Sequence, residues 1–287
     1  MKNRKPPLLT TGICLFSIVL FLSCLTHSGF AQSVAVTHCG GECPQHFSQL
    51  AANRAHVVIH HLYAAGLNGD TGLADWVSYR LIKDAVGVAS LLPRNWQTDP
   101  LVGISEVEDI LGLGEKELSL SQVASANDNP YAAMAIPEQE PEHRARLAPM
   151  TGFANTPYWP DLNRLSNMIP MPSPLRLGPW LSLEQRLNSL AAEMGELHVI
   201  AGPLYVINEL SLSPIPGGLN PAAYYKLVFD DSGVVAFAFP HDLKQHEPLC
   251  AQRVEVSAIE TMARISFFPD KSAIDESAAL LRALGCQ

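Results

Sequence analysis

Apolar residues at Trp180, Leu183, Leu187, Leu190, Ala191 and Met194 recur at three- and four-residue steps, with Glu184, Gln185, Arg186 and Asn188 between them. Residues spaced this way share one face of a helix, so the segment predicts an amphipathic helix. Pro179 suits its first turn and Gly195 its end. Leu197 to Ala201 then predicts a strand. Tyr224 to Phe229 and Val234 to Phe239 predict two more, joined by a hairpin turn at Asp230-Asp231-Ser232-Gly233. Val254 to Met262 predicts a strand running into a short helix. Upstream, Trp76 to Leu81 predicts a short strand, and the periodicity of Leu50 to Tyr63 predicts a helix, punctuated afterwards by Gly66, Asn68-Gly69 and Gly72. Ser105 to Leu111 predicts a short helix, and residues 121–142 a loop rich in Asn, Asp and Pro. Strands, helices and a hairpin mixed in this way predict an α+β fold rather than a regular doubly wound sheet.

The N-terminus has a different pattern. Lys2, Arg4 and Lys5 precede a mostly apolar run from Leu8 to Leu25, and Gly29-Phe30-Ala31 places small residues before Gln32. This reads as an export signal over residues 1–31. An uncleaved anchor and a lipoprotein site at Cys24 are the alternatives. Over the whole chain of 287 residues the formal charge is −9, from 19 basic and 28 acidic residues. Removing the leader takes away three basic and no acidic residues, leaving 16 against 28, or −12. A strongly basic nucleic-acid binder is excluded as a description of the whole chain, though not a local basic patch. Cys39, Cys43, Cys250 and Cys286 remain after cleavage. In an exported chain they predict two disulfides, with three possible pairings. Cys39 and Cys43 could also form a metal or redox pair, but export favours a structural bridge, and Cys250 and Cys286 could tie the C-terminal segment to the core. The expected location is secreted or periplasmic, with no stable membrane association after cleavage.

Two groups of residues suggest chemistry. His56 and His60 lie one turn apart if the segment is helical and so are candidates to share a metal, although no third ligand has matching spacing. Residues 142–186 carry Arg144, Arg146, Arg164, Arg176 and Arg186, no lysine, and the acids Glu142, Asp161 and Glu184. Guanidinium groups suit bidentate phosphate contacts, which makes Arg144, Arg146, Arg164 and Arg176 candidate phosphate ligands. Asn167 and Glu184 offer hard oxygen atoms of the kind that hold Mg²⁺ directly or through water.

In this same region the text resembles the DNA/RNA non-specific endonucleases of the ββα-metal type. The matching stretches are Arg144-Ala-Arg-Leu-Ala-Pro149, Leu165-Ser-Asn-Met-Ile-Pro170, Trp180-Leu-Ser-Leu-Glu184 and Ala201-Gly-Pro-Leu-Tyr205, followed by Pro221 to Lys226 and Ile259-Glu260 leading to Phe267-Phe-Pro269. The resemblance covers roughly residues 76–269. It implies a ββα-metal nuclease-like core with a mixed antiparallel sheet and flanking helices over 76–287, preceded by an N-terminal extension at 32–75. It also implies metal-dependent phosphodiester hydrolysis with Mg²⁺, or Mn²⁺ as a substitute, and DNA or RNA as partner.

The site residues implied by the resemblance carry over unevenly. Asn167 falls on the metal-binding Asn and Glu184 on the Glu that orders the metal's water shell. Arg144 falls on the Arg of the Asp-Arg-Gly-His signature. The Asp position of that signature is His143, the Gly position Ala145, and the position of the general-base His is Arg146. A second Asn of the metal site falls on Arg176. A guanidinium, with a pKa above about 12, cannot take a proton from water as imidazole does. His143 becomes a base only in a rearranged loop. Three readings follow: a divergent phosphodiesterase using Asn167 and His143, a binder of nucleic acid or another phosphorylated ligand that has lost cleavage, and a protein-interaction module.

Overall fold

The computed structural model describes residues 35–69, 73–97, 99–102, 144–205, 221–271 and 274–286. The predicted helix at 105–111, the loop at 121–142 and the candidate base His143 lie outside these residues.

The chain begins with two short paired strands, β1 (Ala35–Val36) and β2 (Gly41–Glu42). These are followed by β3 (Gln45–His46) and one helical turn, α1 (Gln49–Ala52). Next come β4 (Ala55–Ile59), β5 (Tyr63–Asn68) and β6 (Ala74–Ile82). The expected helix over 50–63 is therefore wrong beyond its first turn. Val57, Val58 and Ile59 are stiff at χ1 and crowd a helix, and on a strand they ladder against Gly66, Ala65 and Ala64. The correction also removes the proposed His56/His60 metal pair. Four residues along a strand are about 13 Å apart, against about 6 Å on a helix.

Further along the chain come β7 (Arg144–Arg146), β8 (Met168–Pro170), α2 (Ser173–Leu177) and α3 (Pro179–Met194). Then follow β9 (Glu196–Leu204), β10 (Ala223–Asp230) and β11 (Gly233–Pro240). β12 (Arg253–Val254), α4 (Val256–Ala263), β13 (Ile265–Ser266) and α5 (Ala278–Ala283) complete the chain. Helix α3 starts at Pro179 and ends against Gly195, at φ 93°, as its pattern predicts. The predicted strands at 76–81, 197–201, 224–229 and 234–239 are all present, each extended by one to three residues at one or both ends.

The main sheet has seven strands in the order β12-β11-β10-β9-β6-β5-β4. Every pairing in it is antiparallel. Successive side chains alternate between its faces. Tyr224, Val228, Val77 and Tyr79 point to one face, where they pack with Trp180, Leu183 and Leu187 of α3 and with the 145–175 connection. Tyr225, Leu227, Ile200 and Trp76 point to the other, against Ile259 of α4 and Phe267. Gly66 is required where it stands, since a Cβ there would lie 2.2 Å from the Trp76 indole nitrogen. Both predicted bridges form, Cys39–Cys43 and Cys250–Cys286. This α+β architecture puts the arginine-rich connection on the α3 face of the sheet.

Candidate functional site

The site is built on a two-stranded ribbon. β7 pairs antiparallel with β8, setting Arg144 opposite Pro170, Ala145 opposite Ile169 and Arg146 opposite Met168. The signature segment and the Leu-Ser-Asn turn, more than twenty residues apart in sequence, are thereby made neighbours. Two 3-10 turns, Trp159–Asn163 and Leu165–Asn167, lead into β8.

Asn167 is wholly buried. Its amide nitrogen donates to the carbonyls of Ala148 and Leu162, each at 3.0 Å, and its side-chain oxygen accepts the Ala148 N–H at 2.8 Å. Asn167 thus ties the turn to the segment after β7, with both amide donors and the oxygen engaged. Glu184 is also buried and accepts a hydrogen bond from the Lys226 ammonium at 2.7 Å. The Lys226 ammonium sits 4.0 Å above the Trp180 ring. Burial lowers the pKa of Lys226, and the Glu184 charge and hydrogen bond act in the opposite sense.

Arg146 occupies the position of the expected base. Its guanidinium donates to the Asn163 side-chain oxygen at 2.5 Å and to the Arg94 carbonyl at 3.3 Å. It also stacks 4.3 Å from the centre of the Trp96 ring. Burial, with the nearby charges of Arg94 and Arg176, pulls its pKa down to about 10. Three guanidinium groups thus share one electrostatic neighbourhood. Through these contacts Arg146 braces the 93–97 segment. Arg144 and Arg176 are half-buried. Arg164 carries its Nε 4.0 Å from Asp161.

Several residues that knit this region together were not legible from the sequence. Asn163 donates to the Pro93 carbonyl, Gln97 N–H donates to the Asn163 carbonyl, and Leu165 N–H donates to the Gln97 carbonyl. Asp99, 2 % exposed, accepts from the Ser166 hydroxyl and pairs with His60 at 2.8 Å. Burial raises the Asp99 pKa, but His60, Ser166 and the Leu101 N–H outweigh it and the net shift is downward. The available signal was Trp96, a large aromatic in an otherwise polar run before Asp99-Pro100.

The fold and the turn resemble those of known nucleases. Residues 147–273 match the family model described as DNA/RNA non-specific endonuclease. The chain is 28% identical over 237 residues to the protein named "Nuclease" of Serratia marcescens, a match covering 79% of this chain and 78% of that one. Among solved structures, the complex of EndoG with EndoGI aligns at a TM-score of 0.54 and 17% identity, covering 76% of this chain and 87% of that one, which supports the fold alone. These matches make the chain similar to the DNA/RNA non-specific endonucleases.

That family is metal-dependent, but the side chains described here do not fit a divalent ion. Asn167 is enclosed, the Glu184 carboxylate is paired with Lys226, and Arg146 and Arg176 bring positive charge to the turn. Among the described residues no group of three or more His, Cys, Asp or Glu converges on a point. No helix among them is long and apolar enough to cross a membrane.

Proposed function

We propose that this protein is an exported member of the endonuclease family that holds the phosphodiester backbone of DNA or RNA and does not cleave it. The observation that carries this reading is Arg146. Burial lowers its pKa only to about 10, so it stays protonated at pH 7, and its Nη2 donates to the Asn163 side-chain oxygen and the Arg94 carbonyl. A general base has to accept a proton from water, and this group has none of the capacity to do so. The guanidinium groups of Arg94 and Arg176 near Arg146, with Arg144 on the same ribbon, supply the charge that a polyanion needs in an otherwise acidic chain. Two disulfides support an oxidising compartment, in agreement with the leader over residues 1–31.

The test is binding and cleavage in the same preparation. Fluorescence anisotropy with labelled oligonucleotides in EDTA is expected to show salt-sensitive binding. Arg176→Ala should weaken it across sequences and reduce the salt slope by about one. Plasmid and RNA incubated with Mg²⁺ or Mn²⁺ should stay intact. Metal-dependent cleavage that is lost in His143→Ala would overturn this reading in favour of hydrolysis by a displaced histidine.

A further inference from the structure

An exposed aromatic pair stands beside the arginine turn. The His61 and Tyr158 rings stack with centroids 4.1 Å apart and planes 8° from parallel. Both are open to solvent, Tyr158 at 47 % and the His61 side chain at 62 %. Burial does not explain the stack, yet it is held firmly. His61 Nδ1 lies 2.9 Å from the Asp161 carboxylate, the Asp161 N–H donates to the Tyr158 carbonyl at 3.0 Å, and the Tyr63 hydroxyl donates to the Asp161 carbonyl at 3.3 Å. Asp161 thus holds the His61 ring through its carboxylate and the backbone that carries Tyr158 through its N–H. A pre-ordered pair of flat rings loses little entropy when a third ring is added to it.

Its location sets the kind of ring. Tyr158 caps the 3-10 turn whose last residue, Asn163, clamps Arg146. Five residues at about 2 Å rise place Tyr158 about 10 Å along the turn from Asn163, the residue that holds Arg146. Aromatic faces beside a cationic track are the arrangement by which proteins hold unpaired strands, because every base has a π-face and duplex bases are already stacked.

We propose that His61 and Tyr158 form a stacking platform for an unpaired base, which makes the ligand class single-stranded nucleic acid. This rests on the backbone-binding reading above. The test is anisotropy with labelled dT and U 15-mers and a 15-base-pair DNA duplex, all in EDTA. The proteins compared are the wild type, Tyr158→Ala, His61→Ala, Tyr158→Phe and Arg176→Ala, with thermal midpoints measured for each. The inference expects Tyr158→Ala to lose single-strand affinity by about 5- to 150-fold while duplex affinity changes by less than about twofold, and Tyr158→Phe to keep it. His61→Ala should shift in the same direction. Equal loss on both strand forms, or no loss in a folded Tyr158→Ala, would overturn the platform while an Arg176→Ala effect leaves backbone binding standing. No binding of any oligonucleotide by the wild type would overturn both.

Discussion

Lys226 is completely buried, and its ammonium lies 2.7 Å from the carboxylate of Glu184, linking β10 to α3 through the core. Taking both charges out of water is costly, and each is tolerated only because of the other. Glu184→Gln should therefore destabilise the protein by about 3–5 kcal/mol, the cost typical of leaving a buried charge unpaired. Urea unfolding would show it as a lower midpoint with an unchanged slope. Replacing both partners with apolar residues, Glu184→Leu with Lys226→Met, should recover most of the loss. A single variant as stable as the wild type would mean the pair contributes nothing.

Arg146 braces the 93–97 segment through Asn163, the Arg94 carbonyl and Trp96. Arg146→Ala removes charge-assisted hydrogen bonds and a cation–π contact, with an expected cost of about 2 kcal/mol. Hydrogen exchange should localise the loosening to residues near Trp96 and Asn163. Uniform exchange across the chain would argue against a brace.

Histidines on the other side of the sheet give the stability an acid limit. Burial lowers the pKa of His38, with the Arg80 and His198 charges adding to the effect. Burial also lowers the pKa of His198, with Arg80 acting the same way against an opposing pull from Glu196. The folded state thus prefers both rings neutral. Their contribution is fully present above the ordinary histidine value near 6.5 and is lost as pH falls from there through the depressed folded values. The thermal midpoint should drop between about pH 7 and pH 5, and less steeply in His38→Gln or His198→Gln.

The Cys250–Cys286 bridge spans 36 positions and holds the α5 end of the chain against the segment before β12. Replacing both cysteines with serine should cost about 2–4 kcal/mol, and losing Cys39–Cys43, across 4 positions, noticeably less. Parallel denaturation of the two double variants measures the difference.

Elements with strong, unambiguous periodicity were readable in the sequence. Helix α3, bounded by Pro179 and Gly195, and the β10–β11 hairpin are examples. Leu50 to Ile59 misled because apolar residues at Leu50, Ala51 and Val57 satisfy a helical spacing as well as a strand one. Long-range pairing with β5 decided between them. The site divided along the same line. Arg144 was visible as a match to the signature, and Arg146 and Arg176 as departures from the residues the resemblance implies. The enclosure of Asn167 and the capture of Arg146 by Asn163 depend on how β7 meets β8, which spacing does not encode.

The main sheet is two meanders joined edge to edge. β4, β5 and β6 follow one another in sequence, as do β9, β10 and β11, and the halves meet only where Val77 pairs with Ala201 and its neighbours continue the ladder. Each meander closes small loops. The β6–β9 seam has to close a loop running through the entire arginine-bearing connection before any of its contacts form. Topologies with such distant pairings fold in milliseconds to seconds, whereas local ones fold in microseconds to milliseconds. The ribbon that carries the site lies inside that loop, so closing the seam fixes the ends of the segment that holds it.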